Sequence, residues 1–169
     1  MRLQQYIKEA VSKGYNYQLV TPAIKKLKPV KKNSTHERAF INKPDNGFWT
    51  STLKGKNKSA WTEWAEAEDF DDVSSGTILE IQKGVSMYII DNVKHFKKLL
   101  EKFPYEVSGM GVISIDFVKF SKTYDALYLT EAGARKNHMG SGSSLGLNAW
   151  DMESTVWFNT KYLKIIRNV

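Results

Sequence analysis

The sequence predicts a single mixed α+β domain, and three observations carry that expectation. Segments with the 3.6-residue period of an amphipathic helix are interspersed with short runs rich in β-branched and aromatic residues. No repeat and no low-complexity linker divides the 169 residues. With 41% hydrophobic and 12% aromatic residues, a chain of this length buries roughly two-thirds of its unfolded surface, so one core suffices without staples.

The elements follow in order. Leu3, Tyr6, Ile7, Ala10 and Val11 recur at helical spacing and Gly14 suits a C-terminal cap, which predicts an N-terminal helix over residues 1–14 ahead of a core spanning 15–169. YNYQLVTP then reads as a strand closed by Pro22, and the lysine-rich segment to about Pro44 shows no period and reads as loop. GFWTST is a short strand behind the turn signal KPDNG. In SAWTEWAEAEDF, Ser59 is a helix cap and Trp61, Trp64, Ala65 and Glu68 share helical spacing. TILEIQKG and VSMYIID are two strand-like runs joined near a glycine, expected to pair. NVKHFKKLLEKFP is an amphipathic helix with Val93, Phe96, Leu99, Leu100 and Phe103 inward, stopped by Pro104. A short helical turn and the strand ALYLT come next, then a loop from Glu131 to Ala149, then the strands STVWFN and YLKIIRNV. A loop of that length invites suspicion of a function.

Composition excludes several classes. Without cysteine there is neither a disulfide framework nor a thiolate metal site. His36, His95 and His138 lack ligand spacing, so no metal centre is expected. The N-terminus lacks the apolar core of a signal peptide and nowhere do about 18 apolar residues run together, so a soluble, cytoplasmic protein without a membrane partner is expected. GSGSSLG lacks the Gly-Lys-Ser/Thr of a phosphate loop and has Leu145 where a dinucleotide fingerprint needs its third glycine; it reads as a mobile loop. The net charge of +7 is uneven: residues 1–60 carry 13 Lys/Arg against 3 Asp/Glu, whereas residues 61–80 carry none against 7. The basic third would meet phosphates, or the acidic surface of a protein, by long-range attraction.

One short pattern stands out. In WDMESTVWFN, strand alternation puts Asp151, Glu153, Thr155 and Trp157 on one face and Ser154, Val156 and Phe158 on the other. Two like charges on one side of a strand repel unless they are solvated or share a task with a cationic ligand. That points to a cleft.

Taken together, the first strand YQLVT, the hydroxyl-bearing GFWTST, a helix, MYIID with its following helix, ALYLT, a long loop and an acid-x-Glu pair opening a strand resemble the ADP-ribosyltransferase fold. The resemblance implies a divergent member with a split β-sheet core, an N-terminal helix and flanking helices. It implies NAD as co-substrate, transfer of ADP-ribose to a macromolecular acceptor, and a role as a toxin or an effector in conflicts between phage and bacterium. Thr50, Ser51 and Thr52 match the family's hydroxyl strand, and Asp151 and Glu153 match its acidic pair.

Cleaving the nicotinamide–ribose bond passes through an oxocarbenium-like state, so the resemblance casts Glu153 as the carboxylate stabilising that charge and Asp151 as the group orienting the nucleophile. Ser51 or Thr52 would hold Glu153, and Phe48 or Trp49 would stack on nicotinamide. The Arg or His that the family usually carries on its first strand is missing here. Only Gln18 and Thr21 are available on that strand, with Lys25, Lys26 or Arg38 as nearby sources of charge.

Arg135, Lys136, Asn137 and His138 in the long loop, with Trp150 to stack on a base, would read the acceptor. With the basic third they favour nucleic acid, RNA or DNA, over protein. An inhibitory partner is compatible with the toxin reading. The rivals are a non-catalytic basic module, binding nucleic acid or protein, in which the acidic helix is a partner surface, and a phage structural or accessory component.

Overall fold

The computed structural model describes residues 16–70, 72–137, 146–147 and 149–169. The helix expected over residues 1–14 and His138 lie outside them, as does most of the glycine-rich run. In chain order the first half contributes strand β1 (Tyr17–Val20), strand β2 (Phe48–Thr52), helix α1 (Ala60–Ala67), strand β3 (Thr77–Ile81) and strand β4 (Met87–Ile90). Helix α2 (Val93–Lys102), strand β5 (Pro104–Val107), strand β6 (Val112–Ile115) and helix α3 (Phe117–Thr123) follow. Strand β7 (Ala126–Leu129), helix α4 (Glu131–Asn137), strand β8 (Ser154–Trp157) and strand β9 (Leu163–Asn168) complete the order. The architecture is α+β, with four helices and a mostly antiparallel sheet among the described residues.

The sheet has seven strands in the order β4-β7-β8-β2-β1-β3-β9, and only β4 and β7 run parallel. Alternation buries both of its faces. Ile90, Leu127, Leu129 and Val156 point into one core with Phe96, Leu99, Leu100, Phe117 and Phe120 from α2 and α3. Met87, Ala126, Tyr128 and Trp157 point into the other, under Ile24 and Leu27 of the lysine-rich segment. Because successive side chains on β7 and β8 serve opposite cores, a one-residue slip would exchange every one of them.

β2 changes partners halfway along its length. Phe48, Trp49 and Thr50 register with Trp157, Val156 and Thr155 of β8, whereas Ser51 and Thr52 register with Leu19 and Gln18 of β1. β1 therefore diverges from the first half of β2, and β8 from the second, leaving a fork on each side of the strand.

Local chemistry sets the helix ends. Ser59 caps α1 in a capping box with Thr62, Asn92 accepts from the His95 N–H at the start of α2, and Asp116 accepts from the Lys119 N–H at the start of α3. α1 buries Ala60, Thr62 and Ala65, while Trp61 and Trp64 lie half-buried against Phe70. In the lysine-rich segment, the His36 ring stacks on Tyr105 at 3.9 Å and bonds Asp116 at 3.1 Å, tying the segment to the β5–β6 hairpin.

Three features differ from the sequence expectation. β3 and β4 do not pair: β3 lies between β1 and β9, and β4 is the opposite edge. The segment after Glu131 is a helix rather than loop over its first seven residues, because Thr130 Oγ1 accepts from the Gly133 N–H and Ala, Arg and Lys favour helix. β5 and β6, which pattern reading passed over, form a two-stranded ladder of their own. No helix among the described residues is long and apolar enough to cross a membrane.

Candidate active site

The β2–β8 fork explains the acidic pair. Extending the observed register by two residues would place Glu153 opposite Thr52, but the ladder stops at Thr50 and Thr155. The Glu153 carboxylate occupies the gap instead, with the residue only 1% exposed. Oε2 accepts from Ser51 Oγ at 2.5 Å and Oε1 from Thr52 Oγ1 at 2.7 Å. The Thr52 N–H lies 3.2 Å from Oε1 and 3.1 Å from Oε2. That N–H would have met a strand carbonyl in an unbroken ladder; here it meets an anion. Ser51 is itself approached by the Trp61 N–H of α1 at 3.4 Å.

Two effects compete at this carboxyl. Burial pushes its pKa above the ordinary carboxylate value, and the donors from Ser51 and Thr52, with the charge of Lys54, pull it back without cancelling the rise. Lys54 is held in turn by an ion pair with Glu131 of α4.

Cavities flank the acidic pair. One of about 250 Å³ lies in the other fork, between β1 and the first half of β2, with Thr21, Trp49, Ser51, Trp61, Trp150 and Asp151 in its wall. Arg38 and Lys43 stand in the same wall. Burial lowers the pKa of the Lys43 ammonium, Asp151 opposes that shift, and Arg38 adds to it. A second cavity, of about 400 Å³, is bordered by Thr52, Lys54, Tyr128, Glu131, Arg135 and Glu153. A third, of about 340 Å³, is bordered by Glu131, Arg135, Asp151, Met152 and Glu153. Asp151 and Met152 thus border both the 250 Å³ cavity and the Glu153 side.

Ser51, Thr52 and Glu153 come together, and Asp151, exposed, stands beside them. Trp49 and Thr21 line the smaller cavity, and the buried Thr21 Oγ1 has no hydrogen-bond partner among the described residues. Arg38 supplies charge there, while Lys25 and Lys26 are exposed and absent from its wall. Arg135 borders both cavities on the Glu153 side, Lys136 is exposed, and Asn137 closes α4.

Three expected roles do not fit the placement. Gln18 does not face a ligand: it is 2% exposed and both ends of its amide are engaged, Oε1 by Thr50 and Nε2 by Thr52. Phe48 packs into the core opposite the cavity that Trp49 lines, because neighbours on a strand point to opposite faces. Trp150 is 1% exposed, crosses Trp49 edge-on at 4.7 Å and donates its indole N–H to the Asn42 carbonyl, so it is cavity wall and not an open platform for a base. Sequence reasoning missed Lys43, Tyr128 and Met152. The alternation of ALYL does place Tyr128 with Ala126 on one face, but only the pairing of Tyr128 with Thr155 brings it beside Thr52.

No family model, curated protein or solved structure matches the chain.

Proposed function

We propose that this chain is an NAD-dependent mono-ADP-ribosyltransferase on a divergent ADP-ribosyltransferase-like split sheet, acting on a macromolecular acceptor, with nucleic acid favoured over protein. The observation that carries the reading is the 2.5 Å bond between Ser51 and Glu153, residues 102 positions apart in sequence. The change of partners halfway along β2 also suits a split sheet.

The residues of the 250 Å³ cavity fit the co-substrate. Trp49 offers an aromatic face, Arg38 and Lys43 supply charges able to pair with a pyrophosphate, and the Thr21 hydroxyl, without a partner among the described residues, is a ready contact for a ribose or phosphate oxygen. Asp151 and Met152 lead from this cavity to the Glu153 side. As the glycosidic bond to nicotinamide lengthens, positive charge gathers on the ribose; a carboxylate already fixed by Ser51 and Thr52 stabilises it without reorganising. Asp151, outside the buried pocket, orients the acceptor nucleophile and takes its proton. Two spaces meeting at one acidic pair suit a reaction with two substrates. The basic first third and Arg135 on the Glu153 side favour a phosphate-bearing acceptor.

A non-catalytic binding module is the second reading, favoured by one observation: β1 presents no cation, and its Gln18 is committed internally. Labelled NAD incubated with cellular RNA, DNA and protein separates the two. Label on one class, absent with Glu153→Gln, is expected. Wild-type protein that labels none of the three would transfer the preference to the binding module.

A further inference from the structure

Gln18 sits in the middle of a hydrogen-bonded chain that crosses three strands. Trp157 Nε1 lies 2.8 Å from Thr50 Oγ1, Thr50 Oγ1 2.7 Å from Gln18 Oε1, Gln18 Nε2 3.3 Å from Thr52 Oγ1, and Thr52 Oγ1 2.7 Å from Glu153 Oε1. All five residues are buried. The direction of the chain follows from its ends. An indole N–H can only donate and an ionised carboxylate can only accept. Thr50 accepts from Trp157, and its single proton finds an acceptor in this chain only when Gln18 presents its carbonyl. The other end of the amide then donates to Thr52, whose own proton has two acceptors in reach, Glu153 Oε1 at 2.7 Å and the Tyr128 hydroxyl at 3.3 Å; the shorter, charge-assisted bond to Glu153 takes it. The amide orientation is the one that gives the Thr50 proton an acceptor; turned over, Gln18 would donate to Thr50 and leave that proton without a partner in the chain.

We propose that Gln18 is a positioning residue: its amide sets the direction of this chain, so that the Thr52 hydroxyl is held as a donor to the Glu153 carboxylate. The proposal rests on the reading of Glu153 as the catalytic carboxylate for its functional consequence, but not for its geometry. A threonine hydroxyl can rotate; the Gln18 N–H arriving at Thr52 keeps it from turning its proton toward the amide, and the Glu153 carboxylate then outcompetes the longer contact with the Tyr128 hydroxyl. A glutamate at position 18 would offer two acceptors, reverse the link to Thr52 and set a second negative charge in the layer. An aliphatic residue would cut the chain. Losing the indole N–H would release Thr50 from its fixed role at the far end, four hydrogen bonds from Glu153.

The test is a carbon-13 titration of the Glu153 carboxyl in the full chain, with its signal assigned by loss in Glu153→Gln. The other titratable groups that border or act on this carboxyl, Lys54, Asp91, Tyr128, Glu131, Arg135 and Asp151, are unchanged in every variant below. Gln18→Leu and Thr50→Val should shift the Glu153 midpoint upward, Gln18→Glu further, and Trp157→Phe in the same direction by less. Thr155→Val, which removes a hydroxyl of the same layer that has no hydrogen-bond partner among the described residues, should leave it in place. The readout needs no turnover, so it decides the role of Gln18 even if wild-type protein proves inactive toward NAD, a result that would sink only the catalytic reading. Where transfer is observed, Gln18→Leu should lower kcat about tenfold with KM unchanged, as expected for an interaction that matters in the transition state. Midpoints for Trp157→Phe and either Gln18→Leu or Thr50→Val that coincide with wild type would overturn the proposal, and the choice of variants keeps the test decisive if one of them fails to fold.

Discussion

Replacing Thr52 by valine is the sharpest probe of how the buried carboxylate is held. Valine keeps the shape and the backbone N–H that reaches both Glu153 oxygens, and removes only the hydroxyl. A hydrogen bond to a charged group contributes about 1.5–3 kcal/mol. The substitution also orphans the Gln18 N–H, whose 3.3 Å bond is long, so the low end of the usual penalty applies, about 1 kcal/mol. The added methyl returns about 0.8 kcal/mol. Because Glu153 is almost fully buried, solvent screening does not reduce the first contribution. The net expectation is a loss of about 2–3 kcal/mol at neutral pH. Urea denaturation would read it as a lower midpoint at unchanged slope. Thr52→Ser, which keeps the hydroxyl and loses a methyl, should cost only about 0.8 kcal/mol. Equal losses for the two variants, or a valine variant as stable as wild type, would refute the idea that the hydroxyl stabilises a buried charge.

Three further outcomes follow from other parts of the structure. Burial raises the Glu153 pKa, so between the ordinary carboxylate value and that raised one the folded protein binds more protons than the unfolded chain, and stability falls as pH rises through the window. Glu153→Gln removes that loss: its stability relative to wild type should improve from acid to neutral pH and then level, and a difference independent of pH would contradict this. Asp116 behaves oppositely: burial opposes its charge, but donors from Lys119 and His36 outweigh that and hold its pKa low, and its effect cancels in the comparison because both proteins carry it. At Gly133 an added Cβ would lie 2.2 Å from the Ile90 carbonyl oxygen, so Gly133→Ala should force α4 off β4 and cost about 1–3 kcal/mol, visible as a lower Tm. Thr155 Oγ1 is buried without a partner among the described residues, and Thr155→Val, of nearly the same shape, should stabilise by about 1 kcal/mol; a destabilised variant would mean that the hydroxyl is bonded.

The sequence carries the pieces of the site more openly than their arrangement. Each of the seven strands of the main sheet is announced by a β-rich run, and Ser59 and the apolar stripe Phe96, Leu99 and Leu100 mark their helices by local rules. Partners are a different matter. β3 and β4 are neighbours in sequence and read as a pair, yet β4 takes β7 as its parallel partner across α2 and α3, a choice made by packing and invisible to periodicity. Residues 131–137 form a helix that the sequence hides, because the Gly, Ser and Asn after them dominate the local composition.

Gln18 shows the same limit at the level of one side chain. A polar residue in a short strand reads as ligand-facing, and only the register that sets it opposite Thr52 reveals that it is consumed inside the sheet. Ser51 and Glu153 are linked in sequence by resemblance, not spacing, since no local pattern joins residues so far apart in the chain.

The most direct test of the glycosidic chemistry at Glu153 is release of free nicotinamide from NAD, followed by chromatography with and without cellular nucleic acid. Wild-type protein is expected to release nicotinamide, faster when acceptor is present, and Glu153→Gln to release none above background. Release by Glu153→Gln at the wild-type rate, or none by wild type with any acceptor fraction, would contradict the assignment.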